Sequence, residues 1–117
     1  MTAGQRIGRF EELPESEPYE GLLRRTFDSE HATVSEYRFE PGARFPLHTH
    51  PEEQLTFVTE GEIELTAGDE VTRLVKGNWA VLAGGVPHSI RAPDGSAGIL
   101  AIVIPRRASP TAYTVVE

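Results

Sequence analysis

Four side chains in this sequence are of the right type and spacing to do chemistry together: His48, His50, Gln54 and His88. His48 and His50 sit two apart in the alternating run "FPLHTH". On a β-strand, residues i and i+2 point to the same face with Cβ atoms about 7 Å apart. That spacing lets two imidazoles converge on one ion at roughly 2.0–2.2 Å. Gln54 follows the "PEE" connection at the start of the next strand-like run, so its amide oxygen can return to the same point. His88 comes after "AGGVP", on another strand across the fold. Three histidines and one oxygen donor would leave room on an ion for water or substrate. Spacing alone leaves a second reading open, because exposed His-x-His pairs also occur on surfaces.

The rest of the composition narrows the choice. The chain has 117 residues, 38% of them hydrophobic and 25% charged, the ordinary range for one globular domain. We read residues 1–117 as a single domain, with residues 1–8 a loose or strand-swapping arm. The net charge of −7 argues against binding a nucleic-acid backbone or an anionic membrane face. Cysteine is absent, so thiolate catalysis, disulfides and sulfur-ligated metals are excluded. Any metal must be held by nitrogen and oxygen. No apolar run reaches the roughly 20 residues of a membrane span, and the N-terminus has no signal-like apolar core. The expected location is the cytoplasm.

The elements that must position the histidines read as short strands. "LLRRTF" (22–27), "ATVSEYRFE" (32–40), "FPLHTH", "QLTFVTE", "EIELT", "EVTRLVK", "NWAVLA", "PHSIRA" and "AGILAIVI" succeed one another between Gly/Pro turns. "AGD" predicts a tight hairpin, "PDGS" a turn joining the last two strands, and "EELPESEPYE" a surface run between strands. No long window keeps a helical apolar period. The prediction is an all-β antiparallel barrel or sandwich. Strand parity places Phe45, Leu47, Leu55 and Phe57 opposite the ligands, toward an outer layer and a partner subunit. Trp79 is expected to pack in the core or on the sheet, and His31 at the surface. Glu36, Tyr37, Glu64, Arg73 and Arg91 are candidate acids or bases in strands, each expected on a solvated outer face.

Two spacings in order carry a resemblance. The first runs Gly42, five residues, His48, Thr49, His50, three residues, Gln54, six residues, Gly61. The second runs Gly77, "NWAVL", Ala83, Gly84, Gly85, "VP", His88, "SIR", Ala92. Together they resemble the two signatures of the cupin superfamily, with Gln54 where an acidic ligand is usual, Ala83 in place of proline and Ala92 in place of asparagine. The resemblance implies an all-β double-stranded β-helix, a jelly-roll barrel, holding one divalent transition metal (Zn, Ni, Fe or Mn) through His48, His50, Gln54 and His88. The same residues leave open that Gln54 only hydrogen-bonds in the pocket, with water or Glu53 completing the shell.

Glutamine brings a dipole and no charge, so a dication there keeps its full charge and is the stronger Lewis acid. This favours proton-transfer chemistry of isomerase, cyclase or lyase type on a small oxygen-rich substrate. Cupins with this ligand set include groups that linearise unsaturated uronate sugars and groups that cyclise polyketides. An Fe- or Ni-dependent dioxygenase and a non-catalytic small-molecule binder are the alternatives. The nearly unbroken apolar run "GILAIVI" is read as a strand buried on both faces, its outer face covered in a homodimer. "TAYTVVE" and "RIGRF" could each add an edge strand to the partner.

Overall fold

The computed structural model describes residues 4–109 and 111–117. A 3₁₀ turn, Phe10–Glu12, is followed by β1 (Ser16–Tyr19), β2 (Leu22–Asp28), β3 (Thr33–Phe39), β4 (Arg44–Thr49), β5 (Glu53–Glu60) and β6 (Glu62–Ala67). Then come β7 (Glu70–Val75), β8 (Trp79–Leu82), β9 (His88–Arg91), β10 (Ala97–Ile104) and β11 (Thr114–Val115). One sheet runs β1-β2-β3-β10-β5-β8 and the other β11-β4-β9-β6-β7. Every pairing is antiparallel. The two sheets enclose one core as a double-stranded β-helix. No helix among the described residues is long and apolar enough to cross a membrane.

The period-2 pattern does the sorting. Along β3, Thr33, Ser35, Tyr37 and Phe39 are buried while their neighbours are not, so one face joins the core and the other looks out. On β10, Ile99, Ala101 and Val103 face inward and Ile104 is 40% exposed. This central strand therefore alternates and is not buried on both faces. Its outward residues belong to an apolar band. Phe27 pairs with Val34, Val34 with Ile102, Ile102 with Leu55, and Leu55 with Val81, a row across five strands. Leu100, Phe57 and Trp79 line up beside it. Trp79 is 67% exposed, so of its two expected places the sheet holds and the core does not: it is the outward partner of Phe57 on the edge strand β8.

The turns follow the glycines. Gly42, Gly61, Gly77 and Gly85 all take positive φ, and β6–β7 close through Gly68 and Asp69. "PDGS" differs from its expected role, because β9 and β10 lie in opposite sheets and the segment crosses between them. The acidic run expected to be surface loop contains β1, which hairpins onto β2.

The tail joins its own chain's sheet: β11 pairs with β4, Thr114 to Thr49 and Val115 to His48. Arg44 grips Glu117 through two bonds of 2.7 and 2.6 Å, and Leu47 N–H donates to the same carboxylate at 2.9 Å. In "RIGRF" no strand forms: Arg6 bonds the Asp28 carbonyl and the Phe10 ring lies 5.8 Å from Phe27. The first three residues of the expected arm lie outside the described residues.

Candidate metal centre

β4 and β9 are neighbours, and His48 pairs directly with His88 across them. The register from Phe45–Ile90 to His48–His88 places three steps of β4 against two of β9, a β-bulge at Pro46 and Leu47. Proline suits this position because it has no N–H to give to the ladder. The extra residue shifts the parity of everything before it. Phe45 therefore turns inward, 5% exposed, with its ring 4.2 Å from that of His48. The expectation that Phe45 faced outward fails for this reason, whereas Phe57 does face out at 37% exposure.

His50 lies just past β4 and is held by the loop that leads to β9. Gly85 N–H donates to the His50 carbonyl at 2.8 Å, and Thr49 Oγ1 donates to the Gly85 carbonyl at 3.0 Å. Gly84 packs so tightly here that a Cβ would come within 2.1 Å of the Pro51 carbonyl oxygen. Only glycine lets these two loops meet.

The result is a cluster of three buried imidazoles, His48, His50 and His88, at 4%, 4% and 1% exposure. One possible ligand atom from each lies within 4.8 Å of the others. The ring centroids stand 4.2, 5.0 and 5.6 Å apart.

Each ring is oriented by the same device. Nδ1 of His48 lies 2.8 Å from the Pro46 carbonyl, Nδ1 of His50 3.0 Å from that of Glu52, and Nδ1 of His88 2.9 Å from that of Val86. A carbonyl can only accept, so each Nδ1 carries the proton and donates it. In the neutral ring this leaves Nε2 with a bare lone pair, the form that binds a metal. Burial, reinforced by the neighbouring His88, pushes the His48 imidazole down to about 3, and burial pushes His88 down to about 4. Both rings are neutral at ordinary pH. His88 Nε2 has no hydrogen-bond partner.

Gln54 begins β5 with its side chain inward, 6% exposed, while Glu53 is exposed. Its Nε2 donates to Thr56 Oγ1 at 3.0 Å, which leaves Oε1 facing His50 Nε2 at 3.1 Å. Because His50 Nδ1 is committed to the Glu52 carbonyl, this contact is made either by a proton on Nε2 or by a cation between the two atoms. An unpartnered Nε2 on His88, an Nε2–Oε1 contact that a cation can bridge and the neutral rings of His48 and His88 suit a nitrogen-and-oxygen metal site.

Of the five acid–base candidates, Tyr37 alone is inside, at 6% exposure, lining a small cavity beside His48 and Gln54. Arg91 and Glu64 bond each other at 2.9 Å, and Arg73 bonds Asp94 at 3.0 Å, all on the outer face. Glu36 sits outward in register with Arg25. His31 is exposed.

Two residues outside the motifs, Tyr113 and Arg107, complete the site. Tyr113, from the tail, sets its ring 5.3 Å from His48 and 5.2 Å from Phe45, and its hydroxyl meets that of Tyr19 at 2.8 Å. Burial and that hydrogen bond push its phenol up to about 12. Arg107 is 8% exposed and its guanidinium lies 5.7 Å from the Tyr113 ring centre. In the sequence neither stands in a periodic segment or a spaced motif. The one available signal is two arginines directly after an apolar strand.

Comparison with known proteins agrees with this geometry. A family model described as a cupin domain matches residues 35–104. An RmlC-like cupin from Shewanella frigidimarina superimposes with a TM-score of 0.82 at 20% identity, covering 89% of this chain and 94% of its own. TT1209 from Thermus thermophilus superimposes with a TM-score of 0.75 at 27% identity, over 87% and 99%. A Bacillus subtilis oxalate decarboxylase reaches 0.83 at 23% identity over 92% of this chain, and that protein contains Mn(II) centres. This chain spans only 31% of the decarboxylase. The likenesses carry the fold. No curated protein matches the sequence.

Proposed function

The chain belongs to the cupin family, and on that premise we propose that it is a metal-dependent member in which His48, His50, His88 and Gln54 hold one divalent ion. The observation that carries this reading is the convergence of three buried imidazoles, each with Nδ1 committed to a backbone carbonyl, which leaves Nε2 as the nitrogen that can ligate. A Zn²⁺, Ni²⁺, Fe²⁺ or Mn²⁺ ion bound there would supply Lewis acidity toward a carbonyl or enol oxygen.

The chain's own residues prepare the site. The carbonyls of residues 46, 52 and 86 keep the ring protons on the far side. Thr56 holds the Gln54 amide so that its oxygen, and not its NH₂, faces the centre. Phe45 and Tyr113 flank His48 and exclude water from that side. Because Gln54 is neutral, the ligand set does not offset the charge of the ion. This favours proton transfer at a carbon next to a carbonyl, chemistry of the isomerase, cyclase or lyase type, over oxidation. The substrate is small and oxygen-rich.

Elemental analysis of protein purified without an affinity tag or chelator tests this. Wild type should carry about one equivalent of a divalent transition metal, and His50→Ala should lose most of it. Gln54→Glu should keep the metal. Wild-type protein that takes up no divalent metal would contradict the proposal.

A further inference from the structure

Among the described residues Arg107 is the one buried arginine or lysine, and its nearest counter-charge does not satisfy it. Its side chain is 7% exposed, and Nε has no hydrogen-bond partner. Glu52 Oε1 is likewise buried and unpartnered, 4.0 Å from Arg107 Nε and 3.7 Å from His50 Nδ1, beyond hydrogen-bonding reach of either. A buried guanidinium left in this state is costly unless something else bonds it. Arg107 also lines a cavity of about 20 Å³ together with His48, Gln54 and Tyr37. One water needs roughly 10–15 Å³, so the space admits one oxygen of a carboxylate and not a ring.

The charge balance points the same way. The neutral rings of His48 and His88 and the Gln54 amide bring no charge, and Glu52 offsets Arg107. A bound dication would therefore leave the interior two positive charges in excess, next to a guanidinium with an idle donor. A carboxylate offsets that excess and matches the planar fork of arginine.

We propose that Arg107 is the substrate-recognition residue of this site, and that the ligand is a small carboxylate that places one oxygen in the cavity between His48, Gln54 and Arg107. The proposal rests on the metal reading above and adds the class of ligand. Glu52 is then the internal competitor, holding Arg107 until the ligand arrives.

The test is titration of metal-loaded protein with acetate, glycolate and malonate, each against its neutral amide, by calorimetry and thermal shift. Metal content is measured on the same samples. The carboxylates should bind in preference to the amides. Arg107→Gln should weaken them roughly tenfold or more while keeping the metal, and Arg107→Lys should retain part of the preference. Glu52→Gln, which removes the competitor and leaves the cavity intact, should tighten them. If wild type holds metal but does not prefer carboxylates, or if Arg107→Gln and Arg107→Lys both bind them like wild type, the Arg107 assignment is overturned and the metal reading stands. If wild type holds no metal, both fall. Should Arg107→Gln fail to fold, Arg107→Lys and Glu52→Gln decide: a purely structural ion pair would lower their stability without changing carboxylate-over-amide preference.

Discussion

Gln54 Oε1 faces His50 Nε2 at 3.1 Å while the other end of the same amide donates to Thr56 Oγ1. The buried threonine, 0% exposed, thus decides which end of the glutamine the centre meets. Strand period explains how: Gln54 and Thr56 are two apart on β5 and share its inner face.

Replacing that hydroxyl by a methyl, Thr56→Val, preserves volume and removes the group that orients the amide. Metal affinity should fall by roughly 10- to 100-fold, the usual effect of losing a residue that positions a ligand. Competition against a chromogenic chelator measures it. An unchanged affinity would mean that Gln54 is not a ligand.

Acid should destabilise the metal-free protein in a defined window. The His48 and His88 imidazoles lie at about 3 and 4 in the folded chain, below their ordinary 6.5, because they are buried. In that window the unfolded chain binds more protons than the folded one, so stability falls as pH falls. The loss should begin near pH 6.5 and continue toward pH 4. Denaturant midpoints of chelator-treated protein across this range check it. His88→Gln should flatten the slope, and an equally steep slope in the variant would contradict the assignment.

Gly84→Ala should damage the centre without touching a ligand. The new methyl would meet the Pro51 carbonyl at 2.1 Å, so the loops carrying His50 and His88 must part. We expect a loss of about 1–3 kcal/mol in stability together with lower metal occupancy. Ala83→Gly, one residue earlier, serves as control. Full occupancy in Gly84→Ala would show that the loop contact does not set the spacing of the histidines.

The apolar band of Phe27, Val34, Ile102, Leu55 and Val81, with Phe57 and Trp79 beside it, is broad for a surface exposed to water. A second copy packed face to face would cover it. Sedimentation should give a dimer for wild type, and Val81→Glu should shift it to monomer. A monomeric wild type would remove the idea.

Much of this was legible in the sequence, for local reasons. His48, His50 and His88 stand in short alternating strands whose parity is fixed by a buried face, and the glycines mark the reversals between them. Where reading failed, a local rule was overridden. The bulge at Pro46 reversed the direction of Phe45; a proline inside an alternating run was its only sign. Trp79 lies on the sheet and not in the core because an edge strand exposes one face, and sequence does not say which strand is the edge. Arg107 and Tyr113 reach the centre from beyond β10, and the Tyr113–Tyr19 bond joins residues 94 apart. No periodicity records contacts of that kind.

The central claim is that His48, His50 and His88 keep a proton on Nδ1 and offer Nε2 to one common ion. Nitrogen-15 NMR of imidazole-labelled, metal-free protein titrated with Zn²⁺ tests it most directly. The account predicts that Nε2 of His48, His50 and His88 shift together and saturate at one equivalent, with each Nδ1 still protonated and His31 unmoved. Coordination through Nδ1, or any of the three rings left unshifted at saturation, would contradict it.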